Sequence, residues 1–163
     1  MSHIKEIIEV LNSVAQDGKE PIWGDGDWTK QIKNRLCRLG KDNRYWVYAS
    51  SCDDSDSGEW LYDLTWLNYS GKRLTDVELV LESEWTPSGV DEDFQKLMLA
   101  RSELRVMIFQ KKNRESALEK IGDLKQQVTK FTKSGFGDRY LFSCWLSDVR
   151  EFYHEEFVAP NHT

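Results

Sequence analysis

Three carboxylates in two neighbouring apolar runs carry the strongest chemical signal in this chain. Asp63 lies within Trp60-Leu61-Tyr62-Asp63-Leu64-Thr65-Trp66-Leu67, and Glu82 and Glu84 close Leu79-Val80-Leu81-Glu82-Ser83-Glu84-Trp85. Strand side chains alternate with a period of two, so Glu82 and Glu84 share a face. An acid inside such runs is costly unless something pairs with it. A hard cation such as Mg2+ or Mn2+ answers that need, because it prefers oxygen ligands. The alternative is that the acids lie on a wet sheet face or meet Arg and Lys.

Positioning these acids requires a strand pair, and the spacing supplies one. The sequence predicts strands at 59 to 67 and 74 to 85, joined through Ser70-Gly71. A two-residue hairpin loop there brings Asp63 opposite Glu78, and a loop longer by four residues brings it opposite Glu82. Both registers put the acids on one face, and the pattern leaves the choice open.

The remaining elements follow from periodicity. Ile4, Ile7, Ile8, Leu11, Val14 and Ala15 predict a helix over 3 to 16, ended by Asp17-Gly18. Trp28, Ile32, Leu36 and Leu39 predict a second, with Asp27 as N-cap and Gly40 as the stop. Residues 44 to 50 predict a strand. A third helix is expected over 91 to 101, capped by Asp91, with Phe94, Leu97, Met98 and Arg101 on one side. A strand at 104 to 109 follows. Asn113 then caps a long helix with the stripe Leu118, Ile121, Leu124, Val128 and Phe131, and a strand pair at 139 to 146 and 151 to 158 closes the chain. The fold class expected is α/β (α+β), one domain over 1 to 163 with a mixed central sheet flanked by helices and one crossover helix.

The central unit, residues 27 to 110, resembles the αβββαβ core of the PD-(D/E)XK nuclease superfamily, with an added N-terminal helix at 3 to 16 and a C-terminal helix and strand pair at 113 to 158. The resemblance implies that Asp63 and Glu82 are metal ligands. The family's third strand usually ends in acid-any-Lys, but here Glu84 holds the Lys position, and Tyr62 stands where the signature Pro would precede Asp63. Some members carry Glu at the Lys position, and others move the Lys to the following helix, for which Lys96 is the candidate. The resemblance thus implies a Mg2+- or Mn2+-dependent phosphodiesterase acting on nucleic acid, with Glu84 or Lys96 orienting or deprotonating the water. At about 100° per residue Lys96 lies opposite the Phe94 stripe and Arg101 lies on it, so the basic group stays open between them. A non-catalytic interaction module that keeps the fold is the rival class.

Composition narrows the field. The 163 residues carry 28 Asp and Glu against 22 Lys and Arg, a net charge of -6 that argues against a broadly basic nucleic-acid-coating surface. A local basic patch stays compatible with that charge. Cys37, Cys52 and Cys144 are odd in number and widely spaced, which argues against a zinc ribbon or a disulfide scaffold and for a reducing, cytoplasmic setting. His3, His154 and His162 form no ligand pattern. The N-terminus reads as no signal peptide, and no run is long enough to span a membrane. Asp53 to Gly58 resembles a calcium loop but lacks its acids at the right steps. Lys111-Lys112-Asn113-Arg114 is a basic cluster, either a phosphate contact or a solvated turn.

Overall fold

A computed structural model describes residues 3–20 and 22–161; His162 of the sequence reading lies outside them. The described residues form four α-helices, six strands and one short 3-10 turn. The expected mixed α/β class is thus what forms. The residues divide into two compact units, Met1–Val80 and Leu81–Thr163, and β3 carries residues of both.

In the first unit α1 (Ile4–Asp17) and α2 (Asp25–Asp42) precede β1 (Trp46–Ala49), β2 (Leu64–Ser70) and β3 (Arg73–Glu84). The hydrogen-bonded order is β1-β2-β3. α1 buries Ile4, Ile7, Leu11, Val14 and Ala15, the apolar stripe legible in the sequence. α2 packs on β1 and β2. β1 and β2 are antiparallel, with Trp46 opposite Leu67 and Tyr48 opposite Thr65.

Several boundaries differ from expectation, each for a local reason. Asp27 is not the N-cap of α2. Gly24 holds that place, and the Asp27 carboxylate accepts from the Gly24 N–H at 3.3 Å from the third helical position. Gly40 does not stop the helix. It sits inside α2, where a Cβ would come within 2.5 Å of the Trp66 indole nitrogen, so glycine is there for close approach. The strand expected at 59 to 67 starts only at Leu64, because Leu61 takes a left-handed φ of 66° that breaks the extended run. The β2–β3 turn is Gly71-Lys72 rather than Ser70-Gly71, with Gly71 at φ 62°. Thr75 Oγ1 donates to the Asn68 carbonyl at 3.1 Å across that hairpin.

The second unit orders its strands β3-β4-β5-β6, with β4 (Leu104–Lys111), β5 (Arg139–Leu146) and β6 (Glu151–Val158). β4 and β5 are parallel, joined through α4 (Arg114–Lys130), while β5 and β6 are antiparallel. The closing strands match the sequence reading at both ends. Asn113 caps α4 as expected, its side chain accepting from the Ser116 N–H at 2.9 Å. Ala117, not Leu118, begins the buried stripe, and Leu118 is exposed. α3 runs Val90–Met98, shorter than the expected 91 to 101, and Gly89 takes its N-cap position instead of Asp91.

Cys37 and Cys52 are joined as a disulfide, against the sequence reading. They are 15 residues apart, a separation with no recognisable motif, and only the packing of α2 against the segment after β1 brings them together. Cys144 is a buried free thiol.

Candidate functional site

β3 buries Leu79, Val80, Leu81 and Glu82 in succession, so this stretch is covered on both faces. Glu82 is therefore an acid in a strand interior, with its side chain only 2% exposed. A carboxylate there needs a cation. α3 provides one. Its buried face is Val90, Phe94 and Leu97, and Lys96 sits beside that face rather than on it. The lysine stem is long enough to run along apolar surface and deliver its ammonium. The Lys96 Nζ stands 2.9 Å from Glu82 Oε1 and 3.0 Å from Asp93 Oδ1.

The lysine is 44% exposed while Glu82 is buried, so the group opens to solvent through the basic side chain. Burial disfavours the charged ammonium. The hydrogen bonds to Glu82 and then Asp93 outweigh that and hold the Lys96 pKa well above its ordinary value. Lys96 is thus a fixed positive charge at any physiological pH and not a proton acceptor.

Glu84 shares the Glu82 face of β3, and its Oε1 accepts from the Thr86 N–H at 2.7 Å, holding the turn into α3. Gly89 lies against the same carboxylate, where a Cβ would collide with Oε2. Asp63 belongs to the first unit, half-buried in the bend before β2. It lies outside a regular strand, although a strand was expected from 59, because residues 59–63 form none. Arg101 lies beyond the end of α3 and is exposed, so it is not the core-edge residue that the stripe suggested. Of the two basic candidates, Lys96 is the one that reaches an acid of the motif.

Asp93 was missed by sequence reasoning. Its signal was the three-residue step to Lys96, which places two helical side chains side by side. Among the described residues no group of three or more His, Cys, Asp or Glu stands close enough to hold a metal ion. Two carboxylates do converge on one cation, the Lys96 ammonium. Their hard oxygens are the right kind of donor for Mg2+, which is commonly held by one or two carboxylates and keeps several waters.

The calcium-like loop is occupied by structural partners. Asp54 meets Arg38 at 3.5 Å and Asp56 meets Lys41 at 2.5 Å, so the calcium-like loop is spent on α2. A cleft of about 340 Å3 beside the first turns of α4 is lined by Lys111, Ser116, Glu119, Lys120 and Asp123. Its Lys120 is held by Asp91 at 2.8 Å. Ser143 Oγ stands 2.9 Å from His154 Nδ1, but Ser143 is fully buried, so the pair is a packing contact that no substrate reaches. Burial drives the His154 pKa down to about 4.

Compared with protein-family models, curated proteins and solved structures, the chain matches none of them.

Proposed function

We propose that the chain is a divalent-metal-dependent phosphodiesterase of the nuclease type, centred on Glu82 and Lys96 with Asp93 beside them. The observation that carries this reading is the buried Glu82 carboxylate held 2.9 Å from a lysine supplied by the following helix. A lysine carried by the following helix is the variant of the acid-any-Lys motif for which Lys96 is the candidate. Glu82 and Asp93 would hold Mg2+ or Mn2+, which supplies a Lewis acid at a nonbridging phosphate oxygen and a water of lowered pKa. Lys96 keeps its proton, so it donates to the phosphate as negative charge grows instead of deprotonating the water. Proton acceptance would then fall to a carboxylate, for which we take Glu84, on the same strand face as Glu82.

Incubation with single- and double-stranded DNA and RNA, in manganese and then in chelator, tests the reading. Cleavage that needs manganese, disappears in Glu82→Ala and weakens in Lys96→Ala is the expected result. Glu84→Gln should lower the rate more than it lowers metal affinity. The interaction-module reading draws on two observations. The described residues contain no cluster of three metal-ligating side chains, and Glu84 already serves the Thr86 N–H. Absence of cleavage on all four substrates would favour it.

A further inference from the structure

The first unit presents a ladder of aromatic rings that its own core does not consume. Trp46 is 50% exposed and Trp60 42% exposed. Trp46 meets Tyr69 edge-on at 6.1 Å, and Tyr48 meets Trp60 at 5.9 Å. The hydroxyls of Tyr48 and Tyr69 stand 3.4 Å apart and link the two pairs. Trp46 and Tyr48 share one face of β1, the four-residue strand at the edge of the β1-β2-β3 order. The opposite face, with Val47 and Ala49, is buried.

The charges around this ladder are not evenly paired. The acids near Trp60 are largely neutralised, with Asp54 on Arg38, Asp56 on Lys41 and Glu59 facing Lys33. At the other end Arg44, Lys72 and Arg73 are exposed and form no ion pair among the described residues. The antiparallel register sets these three at the same end of the β1-β2 pair. Trp46 pairs with Leu67, three residues before β2 gives way to the Gly71-Lys72 turn, and Arg44 lies just before β1. Lys41 Nζ lies 5.8 Å from the centre of the Trp46 ring, so a cation already meets that indole. Half-open tryptophan rings with cations at one end of the same strand pair are the chemistry that stacks unpaired bases and tracks a phosphate backbone.

We infer that Trp46, Tyr69, Tyr48 and Trp60, with Arg44, Lys72 and Arg73, form a binding surface for single-stranded nucleic acid. Bases stack on the exposed indoles and phosphates meet the three cations. A duplex is a poor ligand, because its bases are already stacked on one another. The inference does not rest on metal chemistry at Glu82.

Fluorescence anisotropy of a labelled oligothymidine with the full chain, in chelator at low salt, tests it. The chelator separates binding from any cleavage, so failure here leaves the phosphodiesterase reading standing, and the reverse also holds. Saturable binding that falls steeply with salt is expected. Trp46→Ala should weaken it by about tenfold or more, with unchanged circular dichroism. Lys72→Glu combined with Arg73→Glu, both in or next to an exposed turn, should weaken it and flatten the salt dependence. No binding at low salt would overturn the inference. So would duplex binding as tight as single-strand binding, or affinity indifferent to both variants.

Discussion

Two lysine–carboxylate pairs in this protein are built in opposite senses. In the second unit the acid is buried and the base is open: Glu82 is 2% exposed and Lys96 44%, at 2.9 Å. In the first unit the base is buried and the acid is open: Lys33 is 8% exposed and Glu59 46%, at 3.7 Å. Lys33 also donates to Ser50 Oγ at 3.0 Å, and Ser50 donates to Glu59 at 3.0 Å. Removing Glu59 therefore leaves the ammonium a hydroxyl partner. The Lys96 pair is the one whose buried member attracts cations. A buried carboxylate can exchange an ammonium for a metal ion, whereas a buried ammonium cannot bind one. This difference is why the first pair reads as structural and the second as a site.

The pH range in which the pairs can be compared is set by a third group, and that effect is the largest. His154 is held neutral by burial, with its pKa down to about 4 from an ordinary 6.5. Its contribution is complete above pH 6.5 and is lost as pH falls toward 4. The loss is on the order of 3 kcal/mol, because each tenfold difference in proton affinity between the folded and unfolded chain is worth about 1.4 kcal/mol. Urea melts from pH 7 to pH 4 should show that loss, and His154→Gln should flatten it.

Next in size is the cost of stranding Glu82. Lys96→Met leaves a buried carboxylate with Asp93 nearby and no ammonium. Breaking a fully buried pair costs about 3–5 kcal/mol, and the open lysine lowers this to about 2 kcal/mol. Urea unfolding at pH 7 measures it, and Glu82→Gln in the same chain should restore most of the loss. The native chain should also weaken at alkaline pH. The folded state holds the Lys96 proton more tightly than the unfolded chain does. Its contribution is therefore whole below about pH 10.5 and fades above that, and Lys96→Met should lack this alkaline component.

The smallest effects belong to the first unit. Lys33→Met replaces a buried ammonium with an apolar chain of similar length and leaves Glu59 hydrated, so about 1 kcal/mol or less in either direction is expected. Glu59→Gln should change stability by about 0–1 kcal/mol. A Lys33→Met cost equal to that of Lys96→Met would break the comparison.

What the sequence disclosed follows the physics of each element. Periodic elements with strong patterns were legible: α1 by its isoleucine stripe, α4 by Asn113 and its stripe, and β5 and β6 to the residue. The failures came where one residue's environment decided. Gly40 reads as a helix stop, yet Trp66 needs its bare backbone. Leu61 reads as strand, yet its backbone turns left-handed and takes Asp63 out of β2. Alternation placed Glu82 and Glu84 on one face correctly, because β3 is regular there. Lys96 looked misplaced on the helical wheel, since that projection ignores the reach of a lysine stem. Asp93 had a local signal in its three-residue step to Lys96, but Lys33 and the Cys37–Cys52 link depend on tertiary neighbours that no local pattern encodes.

The central claim is that the Glu82 carboxylate accepts a divalent cation. Thermal melting of the wild-type chain and Glu82→Gln, each with and without millimolar manganese at pH 7, tests it most directly. A cation that binds only the folded state must raise the melting temperature, by roughly 2–4 °C for each kcal/mol of binding in a chain of this size. The account predicts such a rise in the wild type and none in Glu82→Gln. A wild-type melting temperature unmoved by manganese, or an equal rise in both proteins, would contradict it.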